Sequence, residues 1–119
     1  MNILVAEDEP LLIRAIEGRL KKDGYAVQSA ADGQQALEQI AKRAPDLVIT
    51  DIMMPYASGL EIIAAVRALP GKKVPVIILS SMGQEDVVLE AFRLGADDYI
   101  TKPFSPNELS VRVRRLLVT

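Results

Sequence analysis

Asp46-Leu47-Val48-Ile49-Thr50-Asp51-Ile52-Met53-Met54-Pro55 reads as a strand running into a loop. Leu47-Val48-Ile49 is a continuous apolar run rather than an alternating one, the pattern of a strand covered on both faces. Such a strand needs helices on each side of its sheet, and the rest of the chain supplies them. Short aliphatic runs at Asn2 to Ala6, Tyr25 to Ala30, Val76 to Ser80 and Asp98 to Ile100 alternate with longer segments of helical period. With Leu47 to Asp51 they make five strand-helix units, which predicts an α/β parallel sheet.

The helices carry their own signals. Leu12, Ile16 and Leu20 recur four apart before Gly24, and Leu37, Ile40 and Ala41 form a second stripe. A third helix is expected from Gly59 to about Ala68, ahead of Pro70-Gly71. A fourth packs through Val88, Ala91 and Phe92 and stops at Gly95. Val87-Val88-Leu89 cannot all face inward on one helix, so at least one of them meets solvent or a partner. The fifth helix has Ser105 as cap, Pro106 at its first position and Glu108 to complete a capping box, with Leu109, Val113 and Leu116 as its buried face.

At 119 residues, half of them hydrophobic and a quarter charged, the chain is expected to form one domain over residues 1–119 around one core. A formal charge of -2 gives no broad basic face, which disfavours direct nucleic-acid binding. The chain has no cysteine and no histidine. That removes disulfides, thiol catalysis, a Ser-His-Asp triad and zinc held by thiolate or imidazole. A bound metal must then be held by oxygen, which points to Mg2+, with Mn2+ as the alternative ion. No apolar run reaches membrane-spanning length, and the expected address is the cytoplasm.

In an open α/β sheet, ligands sit at the carboxyl ends of the strands. Glu7 and Asp8 follow the first strand, Asp51 closes the third, Ser80 closes the fourth and Lys102 follows the fifth. Each alone reads as a solvated terminus or a helix-end charge. Together they predict a convergent site. Asp51 ends an otherwise apolar strand, where a lone carboxylate is costly to bury. Three grouped carboxylates need a divalent ion or an ammonium group, and Mg2+ and Lys102 meet that need. With such compensation a carboxylate can act as a nucleophile toward phosphorus.

Four ordered motifs resemble the receiver family of two-component signalling. They are Ile3-Leu4-Val5-Ala6-Glu7-Asp8-Glu9-Pro10, Asp46 to Pro55 as quoted above, Pro75-Val76-Ile77-Ile78-Leu79-Ser80, and Gly95-Ala96-Asp97-Asp98-Tyr99-Ile100-Thr101-Lys102-Pro103-Phe104. The resemblance spans Ile3 to Leu117. It implies a flavodoxin-like, doubly wound sheet of strand order 2-1-3-4-5 with five flanking helices. It also implies a phosphorylation switch in which a sensor histidine kinase or phosphotransfer protein donates to Asp51. The missing histidine fits, since the partner supplies it.

By the same resemblance Asp8 is the main direct Mg2+ ligand, Glu7 acts mostly through water, Asp51 also ligates, and Met53 contributes its backbone carbonyl. Lys102 and the Ser80 hydroxyl bind the phosphoryl group. Tyr99 is the switch aromatic, turning inward as Ser80 moves. A cis peptide before Pro103 aims Lys102 at the site. Homodimerisation through helix 4, strand 5 and helix 5, and an effector domain after Thr119, are further implications; a stand-alone receiver is the alternative to the latter. Asp97, Glu108 and Arg112 match the charged dimer set, whereas Val88 stands where a basic residue is expected.

The sequence departs from the pattern at Glu7 for aspartate, Ser80 for threonine, Ser81 for a small apolar residue, and Tyr56-Ala57-Ser58 in the loop before Gly59. Rival readings fare worse. A flavin-type phosphate loop is incompatible with Glu7-Asp8-Glu9, and an aspartate phosphatase would carry a second acid where Met53 stands. A turnover enzyme is therefore not expected. A phosphate-independent interaction module is the remaining alternative.

Overall fold

In the computed structural model, which describes residues 1–117, strands and helices alternate throughout. They are β1 (Asn2–Ala6), α1 (Pro10–Lys22), β2 (Ala26–Ala30), α2 (Gly33–Lys42), β3 (Leu47–Asp51), α3 (Gly59–Arg67), β4 (Val76–Ser80), α4 (Glu85–Leu94), β5 (Asp98–Thr101) and α5 (Pro106–Leu117). All pairings are parallel and the order is β2-β1-β3-β4-β5. This is the doubly wound arrangement that the sequence predicts. Every residue of β3 and β4 is buried, as their unbroken apolar runs require.

Because strand side chains alternate, the sheet divides its apolar residues between two cores. Leu4, Val48 and Ile78 face α2, α3 and α4, where Ile40, Ile62, Ile63 and Val88 meet them. Ile3, Val5, Ile49, Ile77 and Leu79 face α1 and α5, meeting Ile16, Leu20, Leu109 and Val113.

The differences from the sequence expectations are local. β2 starts at Ala26, not Tyr25, and β5 extends one residue to Thr101. In α2 the buried stripe is Gly33, Ala36 and Ile40, while Ala41 faces outward. Ala36 and Ile40, four apart, share one face, whereas Ala41 follows Ile40 directly and is turned away from it; the helix starts at Asp32, which accepts the Gln35 N–H at 2.9 Å. In α4, Val88 and Ala91 are buried, but Phe92 is 40% exposed and Leu89 66% exposed. Leu89 is thus the outward member of the Val87-Val88-Leu89 run. In α5, Ser105 Oγ accepts the Glu108 N–H at 3.1 Å, but the Glu108 carboxylate turns to Arg112 instead of closing the capping box. A guanidinium one turn on is a stronger partner than a neutral amide.

Two polar contacts clasp α5 to the body. Arg19 donates to Asn107 at 2.8 Å, and Ser110 Oγ donates to Asp23 at 2.6 Å, joining α1 to α5. Asp98, buried at the start of β5, accepts from Arg112 at 2.8 and 2.9 Å and from Arg115 at 3.0 Å. Burial opposes ionisation of Asp98, but the bonds from Arg112, the Tyr99 N–H and Arg115 outweigh it and hold the carboxyl below its usual range. A lowered folded-state pKa stabilises above the unfolded value of about 4 and is lost as pH falls through the folded value. Asp98→Asn is therefore expected to cost about 1 kcal/mol at pH 7, the guanidinium groups being partly solvated. The gap to wild type should narrow in urea titrations as pH falls through the lowered range of the Asp98 carboxyl. A pH-independent gap would remove the ion pair as its cause.

Candidate phosphoacceptor site

The carboxyl edge of the sheet collects the acidic residues. The Glu7 N–H continues the strand ladder to the Ala30 carbonyl at 3.1 Å, which leaves the Glu7 side chain fully buried beneath the loop. Glu7 Oε2 accepts the Glu9 N–H at 3.1 Å. Asp51 ends β3 at 7% exposure, and its Oδ1 accepts the Met53 N–H at 3.3 Å. Asp8 is exposed, yet it offers an oxygen that lies with one each from Glu7 and Asp51 inside a 4.8 Å cluster.

Lys102 enters from the other side. Its N–H donates to the Ser80 carbonyl at 2.7 Å, and the Lys102-Pro103 peptide bond is cis. Its Nζ lies 2.8 Å from Asp51 Oδ2 and 3.0 Å from Glu7 Oε1. The contact with Asp51 is an aligned hydrogen bond, whereas Glu7 Oε1 is close enough for an ion pair but has no aligned donor. Burial, reinforced by the Asp51 charge, pushes Glu7 up to about 7 despite the ammonium. Burial likewise works against the charge on Lys102, but Asp51 and Glu7 outweigh it and raise its pKa.

Three oxygen donors and one buried acceptor without an aligned donor suit a hard divalent cation. Among the described residues no other group of three or more such side chains could hold a metal. Residues Glu7, Asp8, Asp51 and Lys102 therefore lie together at one sheet edge, with Glu7 fully buried and Asp8 exposed. Ser80 closes β4 one position beyond the register partner of Asp51. It borders a groove of about 460 Å³ that Tyr99 also lines. The Tyr99 ring is 42% exposed and stands edge-on to Phe92 with centroids 5.9 Å apart.

Glycine shapes the floor. A Cβ on Gly59 would lie 2.6 Å from the Asp51 carbonyl oxygen, so only glycine lets α3 start directly behind that strand end. The intervening loop turns at Tyr56, the one non-glycine residue with positive φ (72°) among those described. The Ala57 N–H bonds to the Pro55 carbonyl at 2.9 Å across it, a γ-turn, and the Gly33 N–H reaches the same carbonyl at 3.2 Å. Sequence reasoning flagged this loop as atypical but not its strain. It also missed the Met53 amide bond to Asp51, because a backbone donor leaves no mark in residue type.

Asp97 and Arg112, matched above to an intermolecular set, have partners within the chain. Asp97 pairs with Arg67 at 3.2 Å and Lys73 at 2.9 Å, and Arg112 with Asp98 and Glu108. No helix among the described residues is long and apolar enough to cross a membrane.

The family model for the response regulator receiver domain matches residues 3–114. The chain belongs to that family. The receiver domain is 44% identical over 114 residues to the transcriptional regulatory protein DltR of Streptococcus agalactiae, covering 96% of this chain and 50% of that protein. It is 43% identical over 116 residues to the probable transcriptional regulator ycf27 of Porphyridium aerugineum, covering 98% and 48%. The chain thus spans about half the length of the curated relatives it matches. Among solved structures, the chemotaxis response regulator CheY4 of Vibrio cholerae superposes with a TM-score of 0.88 at 31% identity, covering 98% of each chain. Receiver domains are phosphorylation-activated switches of two-component systems, they generally bind Mg2+, and they interact with histidine kinases or phosphotransfer proteins. Both curated relatives are described as transcriptional regulators.

Lys102→Met leaves Glu7 and Asp51 without their ammonium. In EDTA at pH 8 this receiver variant is expected to lose about 2 kcal/mol of stability by urea unfolding, as for a broken, largely buried ion pair. Added Mg2+ should recover part of that loss by binding the folded state. An unchanged urea midpoint in EDTA would contradict the role given to Lys102.

Proposed function

We propose that residues 1–119 act as a single receiver domain that takes a phosphoryl group onto Asp51. The observation that carries this reading is the Asp51 carboxylate, held between the Lys102 ammonium and the Met53 amide at the edge of an acidic cluster. An Asp51 oxygen attacks phosphorus of a phosphohistidine, the P–N bond breaks, and the donor imidazole leaves with the bonding pair. Glu7, Asp8, Asp51 and the Met53 backbone carbonyl would hold Mg2+, with Mn2+ as a substitute. When bound, the ion supplies the positive charge that offsets an incoming dianion.

Lys102 then has two tasks. In the resting protein it compensates Glu7 and Asp51; after transfer it serves as a point charge to the phosphoryl oxygens. Ser80 donates its hydroxyl to the same group, and as it is drawn inward it vacates room beside Tyr99. The Tyr99 ring moves off Phe92 into that room, and the surface of α4, β5 and α5 changes with it. Phosphorylation adds roughly two negative charges to accomplish this. Slow self-dephosphorylation would return the switch to rest.

The donor is a sensor histidine kinase or phosphotransfer protein. The α4, β5 and α5 surface is the proposed site of output, through a homodimer or a C-terminal effector domain. A formal charge of -2 gives no reason to assign DNA binding to this segment. A cysteine-free chain without a membrane-spanning helix among its described residues suits a cytoplasmic location.

Intact mass after incubation with phosphoramidate tests the reading. A Mg2+-dependent gain of one phosphoryl group is expected in wild type and none in Asp51→Asn. Gain by the variant at the wild-type rate would displace Asp51 as acceptor; no gain in wild type would favour a phosphate-independent interaction module.

A further inference from the structure

The residue after Ser80 joins two cavities. Ser81 lines the groove that holds Tyr99, and it also lines a second cavity of about 400 Å³ with Glu9 and Lys102, whose Nζ is 2.8 Å from Asp51 Oδ2. Its backbone N–H is not free. Gln84 Oε1 accepts it at 2.6 Å, the shortest side-chain bond to a backbone amide among the described residues. Gln84 is the N-cap of α4 and lines the Tyr99 groove.

An amide that directly follows Ser80 at the carboxyl end of a central parallel strand, and shares a cavity with the lysine that contacts Asp51, is one a phosphoryl group on Asp51 could recruit as a donor. In the resting protein that donor is already spent on a neutral side-chain carbonyl. We infer that Gln84 is a positioning residue for phosphoryl capture: it withholds the Ser81 N–H at rest, and transfer to Asp51 must break that bond. Breaking it frees the side chain of the α4 cap, so occupancy at Asp51 is felt at the first turn of the output helix without passing through Tyr99. The inference rests on the phosphoacceptor reading of Asp51.

The bland account is that Gln84 folds back over the Ser81-Met82-Gly83 turn merely to fix where α4 starts. That role would appear in stability alone. The two accounts separate when affinity for a phosphoryl mimic is measured beside unfolding. Beryllofluoride binding with Mg2+ is followed by ¹⁵N-¹H correlation spectroscopy in wild type, Gln84→Met and Gln84→Glu. Methionine keeps the length and removes the acceptor; glutamate keeps the acceptor and strengthens it.

Gln84→Met is expected to bind beryllofluoride about fivefold more tightly, the scale of one solvated hydrogen bond no longer broken on binding. Its Ser81 amide proton should shift upfield in the free protein. Gln84→Glu is expected to restore the downfield Ser81 resonance and to bind more weakly than wild type. Affinities within twofold of wild type in both variants, with only the unfolding midpoint changed, overturn the inference and leave the capping role. Absence of beryllofluoride binding in wild type overturns the phosphoacceptor reading itself, and this inference with it.

Discussion

Three carboxylates at one sheet edge can be held together only if something positive sits among them, and in the resting chain that is Lys102. Its ammonium, 2.8 Å from Asp51 and 3.0 Å from Glu7, makes it tolerable for Asp51 to close an otherwise apolar strand. The rest of the architecture serves that placement. β3 and β1 are central so that Asp51 and Glu7 emerge side by side, and β5 lies at the edge so that Lys102 can fold back across β4. The Lys102 N–H is itself tied to the Ser80 carbonyl, which fixes where the long side chain begins its reach.

The compensation is incomplete. Glu7 Oε1 has no aligned donor, and the carboxyl is pushed up to about 7 by burial and by its neighbour Asp51. A group so placed favours whatever brings more positive charge, and the exposed Asp8 supplies a third oxygen toward solvent. The same shortage that makes the resting site costly makes it receptive to a divalent ion.

The sheet was legible because β3 and β4 are buried on both faces and therefore show no alternation. The carboxyl-edge rule then brings Glu7, Asp8, Asp51 and Lys102 together from the sequence alone. What escaped the sequence reading depends on phase or on backbone. In α2 the four apolar residues Ala36, Leu37, Ile40 and Ala41 cover more than one face, and only the packing of the helix on the sheet decides that Ala36 and Ile40 are buried and Ala41 is not. Phe92 follows the helical spacing of Val88 and Ala91 in the sequence, yet it lies at the edge of that stripe, half exposed and edge-on to Tyr99. The Met53 amide and the Tyr56 γ-turn are main-chain features. Nothing in a tyrosine announces a φ of 72°, a conformation of the kind that costs on the order of 1–3 kcal/mol and persists only where neighbours enforce it. Here Gly33 does so, through its bond to Pro55 and an approach to Ala57 so close that no side chain would fit.

The clasp between α1 and α5 bears on how such a chain acquires its structure. Arg19 reaches Asn107 across 88 positions of sequence, and Ser110 reaches Asp23 across 87. Ile16 and Leu20 share their core with Leu109 and Val113 as well as with Ile3, Val5 and Ile49 of the sheet, so the apolar face of the first helix is fully covered only when the fifth arrives. Contacts that distant are slow to form, because the closure entropy of the long loop must be met before any of them contributes. During synthesis at a ribosome, a half-made sheet would therefore expose that face for many residues of elongation. The same separation ties the two ends of the chain into one unit, in keeping with the all-or-none unfolding usual for single domains of this size.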